Sequence, residues 1–174
     1  EAAFQVPGVI RVIGTGPLAP AVELAASRGE VSYGGQVAHD RVHAELKAAV
    51  ALVLPSIWFE GFPLVVLEAF ANGTPVIASR LGSLAEIVED GSTGLLAEAG
   101  SAADLAERIR WALAHEAAMR QMGLTARRVY EQRFRGPTHL AALMEIYLGV
   151  GSTALAASRR TAAPADRHHD GGAA

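Results

Sequence analysis

No cysteine occurs among the 174 residues, so neither a disulfide framework nor a thiolate metal site is available. The redox compartment is left open by that absence. Lysine is almost missing too: Lys47 is the only one, and arginine carries nearly all the positive charge. That bias, with abundant alanine, is associated with GC-rich bacterial genomes. A net charge of −3 offers no electrostatic footprint for nucleic acid. No apolar run is long enough to cross a bilayer, and the first residues do not read as a signal peptide. Charged residues make up only 19% of the chain against 51% hydrophobic ones, which excludes a disordered polymer. A chain of this length buries one real core. It starts at Glu1 without a methionine, and Glu1-Ala2-Ala3-Phe4 reads as the end of a helix, so a larger parent protein is expected.

The most informative stretch is Pro55-Ser56-Ile57-Trp58-Phe59-Glu60-Gly61-Phe62-Pro63-Leu64-Val65-Val66-Leu67-Glu68. Residues 49–54 before it form a short apolar run of buried-strand composition. After it Leu64, Leu67 and Ala71 fall on one helical face. Residues 56–62 are therefore expected as a loop from a strand end into a helix N-terminus. Pro63 suits the first helical position, since its φ is preset and its missing N–H had no partner there. The N–H groups of Leu64 and Val65 then form a half-positive site for an anion such as a diphosphate. Glu60 and Glu68 would repel phosphate, so both are expected to accept hydrogen bonds from hydroxyls around it. A nucleotide sugar carries hydroxyls on both sides of its diphosphate.

Strand and helix patterns alternate along the chain. Strands are expected at residues 9–13, 30–33, 49–54, 75–78 and 94–97. Helices are expected at 18–28 with Gly29 as C-cap, then from Asp40 with Val42, Leu46 and Ala49 on one face. Further helices are read at 63–71, stopped by Asn72-Gly73, and at 84–88 with Ser83 as cap. Ser101 should cap a long helix with Leu105, Ile109, Ala112 and Leu113 on one face and Asp104 in its first turn. Helical pieces at 116–134 and 138–148 follow. This alternation implies a doubly wound, Rossmann-like parallel sheet in an α/β domain. From Gly149 on, no apolar period remains and a disordered tail over 149–174 is expected.

The acidic pair resembles the E-x7-E signature of retaining GT-B-fold glycosyltransferases, the large group that includes sucrose-synthase-like and mannosyltransferase-like enzymes. Pro55-Ser56, Glu60-Gly61-Phe62, Leu67-Glu68-Ala69, Gly73-Thr74-Pro75-Val76-Ile77-Ala78, Gly82, Glu86-Ile87-Val88 and Gly94-Leu95-Leu96 extend the match. The resemblance implies that Glu60, the catalytic candidate, contacts the donor sugar and that Glu68 holds the ribose. Gly61, Phe62, Pro63, Leu64 and Val65 would complete that donor site. It further implies transfer of a hexose from a nucleotide diphosphate sugar to a hydroxyl, with no cofactor and no required metal. In such enzymes an Arg and a Lys near the start of this domain steady the diphosphate. The segment that would carry them, with the first strand, and the N-terminal acceptor domain are expected to precede Glu1 in the parent protein. Arg11 and Lys47 lie in the wrong places to replace them. Residues 1–148 are thus expected to be an N-terminally truncated donor-binding domain, inactive alone.

Other features allow more than one reading. Gly14-Thr15-Gly16-Pro17-Leu18-Ala19 fits G-x-G-x-x-A after a strand, the dinucleotide fingerprint. An NAD-dependent oxidoreductase would need an acid at the end of the next strand, and Tyr33-Gly34-Gly35-Gln36 has none. Pro17 also removes an N–H from the turn. Donor contact through Gly14 and Gly16 is preferred, with a purely structural turn as the alternative. Gly35, in Gly34-Gly35-Gln36-Val37, looks like the family segment beside the nucleotide base, though a plain turn fits equally.

Ser79-Arg80-Leu81-Gly82-Ser83 is expected on the same sheet edge, with Ser83 where the family often has a second glycine, and Glu86 as loop support. Trp58 and Phe59 are expected to pack under the loop, with facing the acceptor as the alternative. Arg120, Arg127, Arg128, Arg133 and Arg135 read as a solvated helix face, or else as a patch for anionic lipid beside a lipid-linked acceptor. The acceptor class, lipid-linked, glycan or small molecule, stays open. A cytoplasmic location, peripheral at the membrane's inner face, would suit it. His168, His169 and Asp170 sit in the tail and are not taken as a metal site.

Overall fold

The computed structural model describes residues 5–136, 138, 140 and 143–148. The chain divides into two units, Glu1–Phe134 and Arg135–Ala174. In the second, residues 143–148 are helical; the expected tail, with His168, His169 and Asp170, lies outside the described residues.

In the first unit β1 (Arg11–Val12), α1 (Ala19–Ser27), β2 (Ser32–Tyr33), α2 (His39–Ala48), β3 (Leu52–Leu54), α3 (Leu64–Asn72) and β4 (Val76–Ser79) alternate. Then come α4 (Gly82–Ile87), β5 (Gly94–Ala97), α5 (Ala102–Ala114) and α6 (Glu116–Val129), the last running into a π-helical turn over Tyr130–Phe134. Every strand pairing is parallel. Arg11 stands opposite Ser32, and Val53, Ile77 and Leu95 lie in register across β3, β4 and β5. The ladder comes in two pieces, β1–β2 and β3–β4–β5. The fold is α/β with parallel sheets, as the alternation implied.

The core follows the period-2 rule of strands. Leu52, Leu54, Val76, Ala78 and Leu96 point to one face, where Leu46 of α2, Val66, Ala69 and Phe70 of α3 and Leu84 of α4 cover them. Ala51, Val53, Ile77 and Leu95 point to the other, against Ile109 and Ala112 of α5 and Met119 and Met122 of α6. Helices on both faces keep β4 and β5 fully buried. Helix α6 serves both faces, since Ala126 belongs to the first cluster. Between its two contributions Gly123 lies against Gly73: a Cβ there would stand 2.1 Å from the Gly73 carbonyl oxygen.

Several local expectations need correction. Pro63 is the N-cap of α3 with extended backbone (φ −76°, ψ 97°), not its first helical residue. The buried stripe of α3 is Val66, Ala69 and Phe70, while Leu64 is 67% exposed. This helix is apolar nearly all round, so two stripes compete, and the one holding the bulky Phe70 ring wins the core. Asp40 sits in the first turn of α2, whose N-cap is Ala38, and Ala49 is its exposed C-cap. Ser83 lies inside α4, whose N-cap is Leu81. Leu113 is exposed on α5, one step off the Ile109–Ala112 stripe. Ser101 does cap α5, its hydroxyl accepting from the Asp104 amide at 3.2 Å, and Gly73 ends α3 in the left-handed conformation at φ +74°.

Candidate functional site

The site residues read from the sequence lie after the C-terminal ends of parallel strands, where open α/β sheets hold ligands. One group follows β3. Ser56 is buried at the strand end, and its hydroxyl donates to Glu60 Oε1 at 2.7 Å. The Ser83 hydroxyl, from the first turn of α4, donates to the Glu60 backbone carbonyl at 2.9 Å. Glu60 is half-buried between them. Gly82 is favoured here by its backbone, and a side chain would also displace the exposed Phe59 ring. Its φ is +50°, and a Cβ would stand 2.8 Å from Cδ1 of the Phe59 ring.

Beyond the loop, Leu64 and Val65 open α3, where backbone N–H groups lack intrahelical acceptors. Glu68 follows one turn later, half-buried, with its backbone carbonyl accepting from Asn72 Nδ2 at 2.7 Å. Phe62 is half exposed, its ring centroid 6.2 Å from that of Phe134. Trp58 and Phe59 contradict the packing expected of them: they are 63% and 76% exposed. The core beneath is already filled by α3, and the Ser56–Glu60 bond turns the loop's polar side inward instead.

A second group follows β1 and β2. The Gly14 amide donates to the Gly35 carbonyl at 2.8 Å, and the Tyr33 hydroxyl donates to the Gly14 carbonyl at 3.0 Å. The structure thus brings Gly14 and Gly35 together; no hydrogen bond among the described residues joins them to the Glu60 loop. Arg11 is engaged elsewhere, with its Nε 2.9 Å from Glu45, which Arg41 also meets at 2.9 Å. Burial pushes the Glu45 carboxyl up, but the hydrogen bond from Arg41 and the charges of Arg11 and Arg41 outweigh it, so it sits below the ordinary range.

The start of α4 is anchored by a pairing that the sequence does not announce. The Arg80 amide donates to the Ala97 carbonyl at 2.7 Å, and its guanidinium meets Asp90 at 2.6 Å. The other Asp90 oxygen accepts from the Leu96 amide at 2.9 Å. Desolvation raises the Asp90 carboxyl, yet the Leu96 amide and the Arg80 guanidinium together hold it below its usual value. Nothing in the sequence marks Asp90 as Arg80's partner. Ser56 and Ser83 had a weak sign each: a hydroxyl one helical turn's spacing before Glu60, and a departure from glycine.

Glu86 borders a cavity of about 360 Å³ with Val88, Glu89, Thr93, Val129 and Arg133, which none of the expected donor residues lines. On the late helices Arg120 pairs with Glu116 and Arg127 with Glu131. Arg127 also donates to the Ala71 carbonyl, tying α6 to α3.

Compared with known proteins, residues 10–129 match the family model described as glycosyl transferases group 1. The chain belongs to that family. It is 38% identical over 108 residues to a D-inositol 3-phosphate glycosyltransferase of Nocardia farcinica, covering 60% of this chain and 24% of that protein. It is likewise 38% identical over 116 residues to a glycogen synthase of Mycobacterium tuberculosis, covering 67% of this chain and 28% of that protein. This group 1 chain therefore spans about a quarter of the length of those curated relatives. Among solved structures it is similar to sucrose-phosphate synthase from Thermosynechococcus elongatus, with TM-score 0.75 and 30% identity over 87% of this chain and 41% of that one. HepE of Anabaena, in complex with UDP, superposes with TM-score 0.73 at 22% identity over 84% and 43% of the respective chains, a likeness of fold.

Proposed function

We propose that this chain is the donor-binding part of a longer retaining glycosyltransferase, which moves a hexose from a nucleotide diphosphate sugar to a hydroxyl acceptor without a metal. The observation that carries the reading is the Glu60 loop. One oxygen of the Glu60 carboxylate is held by Ser56, and the loop leads straight into the free amides at the start of α3. In this reading the second Glu60 oxygen accepts from a hydroxyl of the hexose, and Glu68 accepts from the ribose. The Leu64 and Val65 amides face the diphosphate and stabilise the charge that grows on it as the glycosidic bond breaks.

Two glycines add support. Gly16 and Gly61 have no positive φ, and no atom lies within 4 Å of where a Cβ would stand on either, so neither backbone strain nor protein packing calls for glycine there. Both positions are therefore open to the close approach of a ligand. Gly14 and Gly35, joined in one turn cluster, would then border the nucleotide.

The chain alone is expected to be inactive, because the acceptor side of the cleft and a basic pair for the diphosphate would come from the rest of the protein. Membrane contact through the late arginines has less behind it, since Arg120 and Arg127 are already paired with glutamates. The test is calorimetry and transfer assays on the full-length protein with UDP-, GDP- and ADP-sugars. Uridine donors come first, since HepE, which shares this fold, is described with UDP-glucose. Turnover of one donor, lost in Glu60→Ala, supports the enzyme. Absence of binding by every donor overturns it and leaves an interaction module with the inherited fold.

A further inference from the structure

We propose that Ser56 and Ser83 are positioning residues that together fix Glu60 for the sugar of the donor. The proposal rests on the reading that Glu60 addresses the hexose. Ser56 is 7% exposed at the end of β3, so its hydroxyl has few places to turn, and at 2.7 Å from Oε1 it makes the strong, charge-assisted kind of hydrogen bond. That bond occupies one carboxylate oxygen and sets the plane of the group. The other oxygen is left for a ligand hydroxyl.

Ser83 acts on the opposite end of the same residue. Its hydroxyl donates to the Glu60 carbonyl at 2.9 Å from a separate element, the start of α4. The middle of the loop has few other restraints: Ile57, Trp58 and Phe59 are exposed, a Cβ at Gly61 would meet no atom within 4 Å, and Phe62 at the loop's end lies beside Phe134. The Phe59 ring resting on Gly82 is the other tie to α4. The helix start to which both ties run is itself fastened to β5 through Arg80 and Asp90. Glu60 is thus held at its side chain from the end of β3 and at its backbone from the start of α4. A glycine at position 83, as the family resemblance leads one to expect, has no hydroxyl to do this.

A residue that orients Glu60 matters only to a ligand that carries the sugar. Ser56→Ala and Ser83→Gly in the full-length protein should each weaken UDP-glucose binding by about five- to tenfold while leaving UDP within about twofold of wild type. The GDP or ADP pair replaces these probes if wild type binds that nucleotide. Ser56→Thr, which keeps the hydroxyl, should stay close to wild type, and circular dichroism melting confirms that each variant is folded. Equal weakening of the sugar nucleotide and the free nucleotide marks a merely structural role and overturns the proposal. Glu60→Ala separates the two levels. If it leaves the sugar-nucleotide preference intact, the reading of Glu60 itself fails. If it abolishes that preference while both serine variants keep it, the positioning role alone is wrong.

Discussion

At the scale of single residues, the two glutamates are expected to behave differently. Glu60 sits in a loop held by hydroxyls, and Glu68 sits one turn into α3, so on the proposed reading they would address opposite ends of a diphosphate at the helix start. Glu60→Ala should cost sugar-nucleotide affinity about tenfold or more, the range for a lost hydrogen bond to a charged group, and spare the free nucleotide. Glu68→Ala should weaken both ligands alike. Titration of each variant with the pair of ligands checks this, and a matching loss for both glutamates would place them on one part of the donor. The pair was legible in the sequence because it lies in a dense set of family-like positions. The Ser83 hydroxyl was not, since a hydrogen bond across 23 positions leaves no spacing to read, and Ser56 left only its four-residue spacing from Glu60.

At the scale of elements, the anchor behind the site depends on pH. Asp90 is held below its usual carboxylate value, so its folded form prefers the charged state. The stability it contributes is therefore complete above the ordinary aspartate range and lost as pH falls below about 4. Because the Arg80–Asp90 pair is partly exposed, salt should weaken it. Asp90→Asn should flatten the fall of the melting temperature between about pH 5 and 3 relative to wild type; an unchanged slope would remove Asp90 from the acid response.

The close crossing of α6 over the end of α3 gives a second expectation. Gly123→Ala places a Cβ against the Gly73 carbonyl, with backbone on both sides, and should destabilise by about 1–3 kcal/mol in urea unfolding. Element order was readable from the alternation of apolar patterns, and β5 was placed to the residue. The buried face of α3 was not, because a helix apolar on all sides carries no phase. Nor was the exposure of Trp58 and Phe59, since aromatic character says nothing about whether the core has room left.

At the scale of the whole first unit, the break between the two ladders is the feature with the largest physical consequence. Ile10, leading into β1, packs on the same apolar cluster as Ala51 and Val53 of the β3 segment, while Arg11 points the other way to Glu45 on α2. Both ladders therefore run between shared helical layers without bonding to each other. In β1 the carbonyls of Ile10 and Val12 serve β2, and in β3 the Leu52 amide serves Pro75 before β4. By the alternation of a parallel ladder, the peptide groups of Arg11, Ile13, Ala51 and Val53 face away from β2 and β4, toward edges with no strand partner among the described residues. β5 is also an outer strand, yet it is fully buried, whereas β3 is only half-buried. Nor do residues 51–54 carry the charge, proline or bulge with which natural edges are protected. An unprotected apolar edge of this kind pairs with another strand. The 174-residue chain is accordingly expected to associate at micromolar concentration, seen as a rising mass in sedimentation, with amide exchange at Ala51 and Val53 slowing as concentration increases. A monomer at every concentration, with those two amides already as protected as those of Leu52 and Leu54, would show that the edge is closed from within the chain.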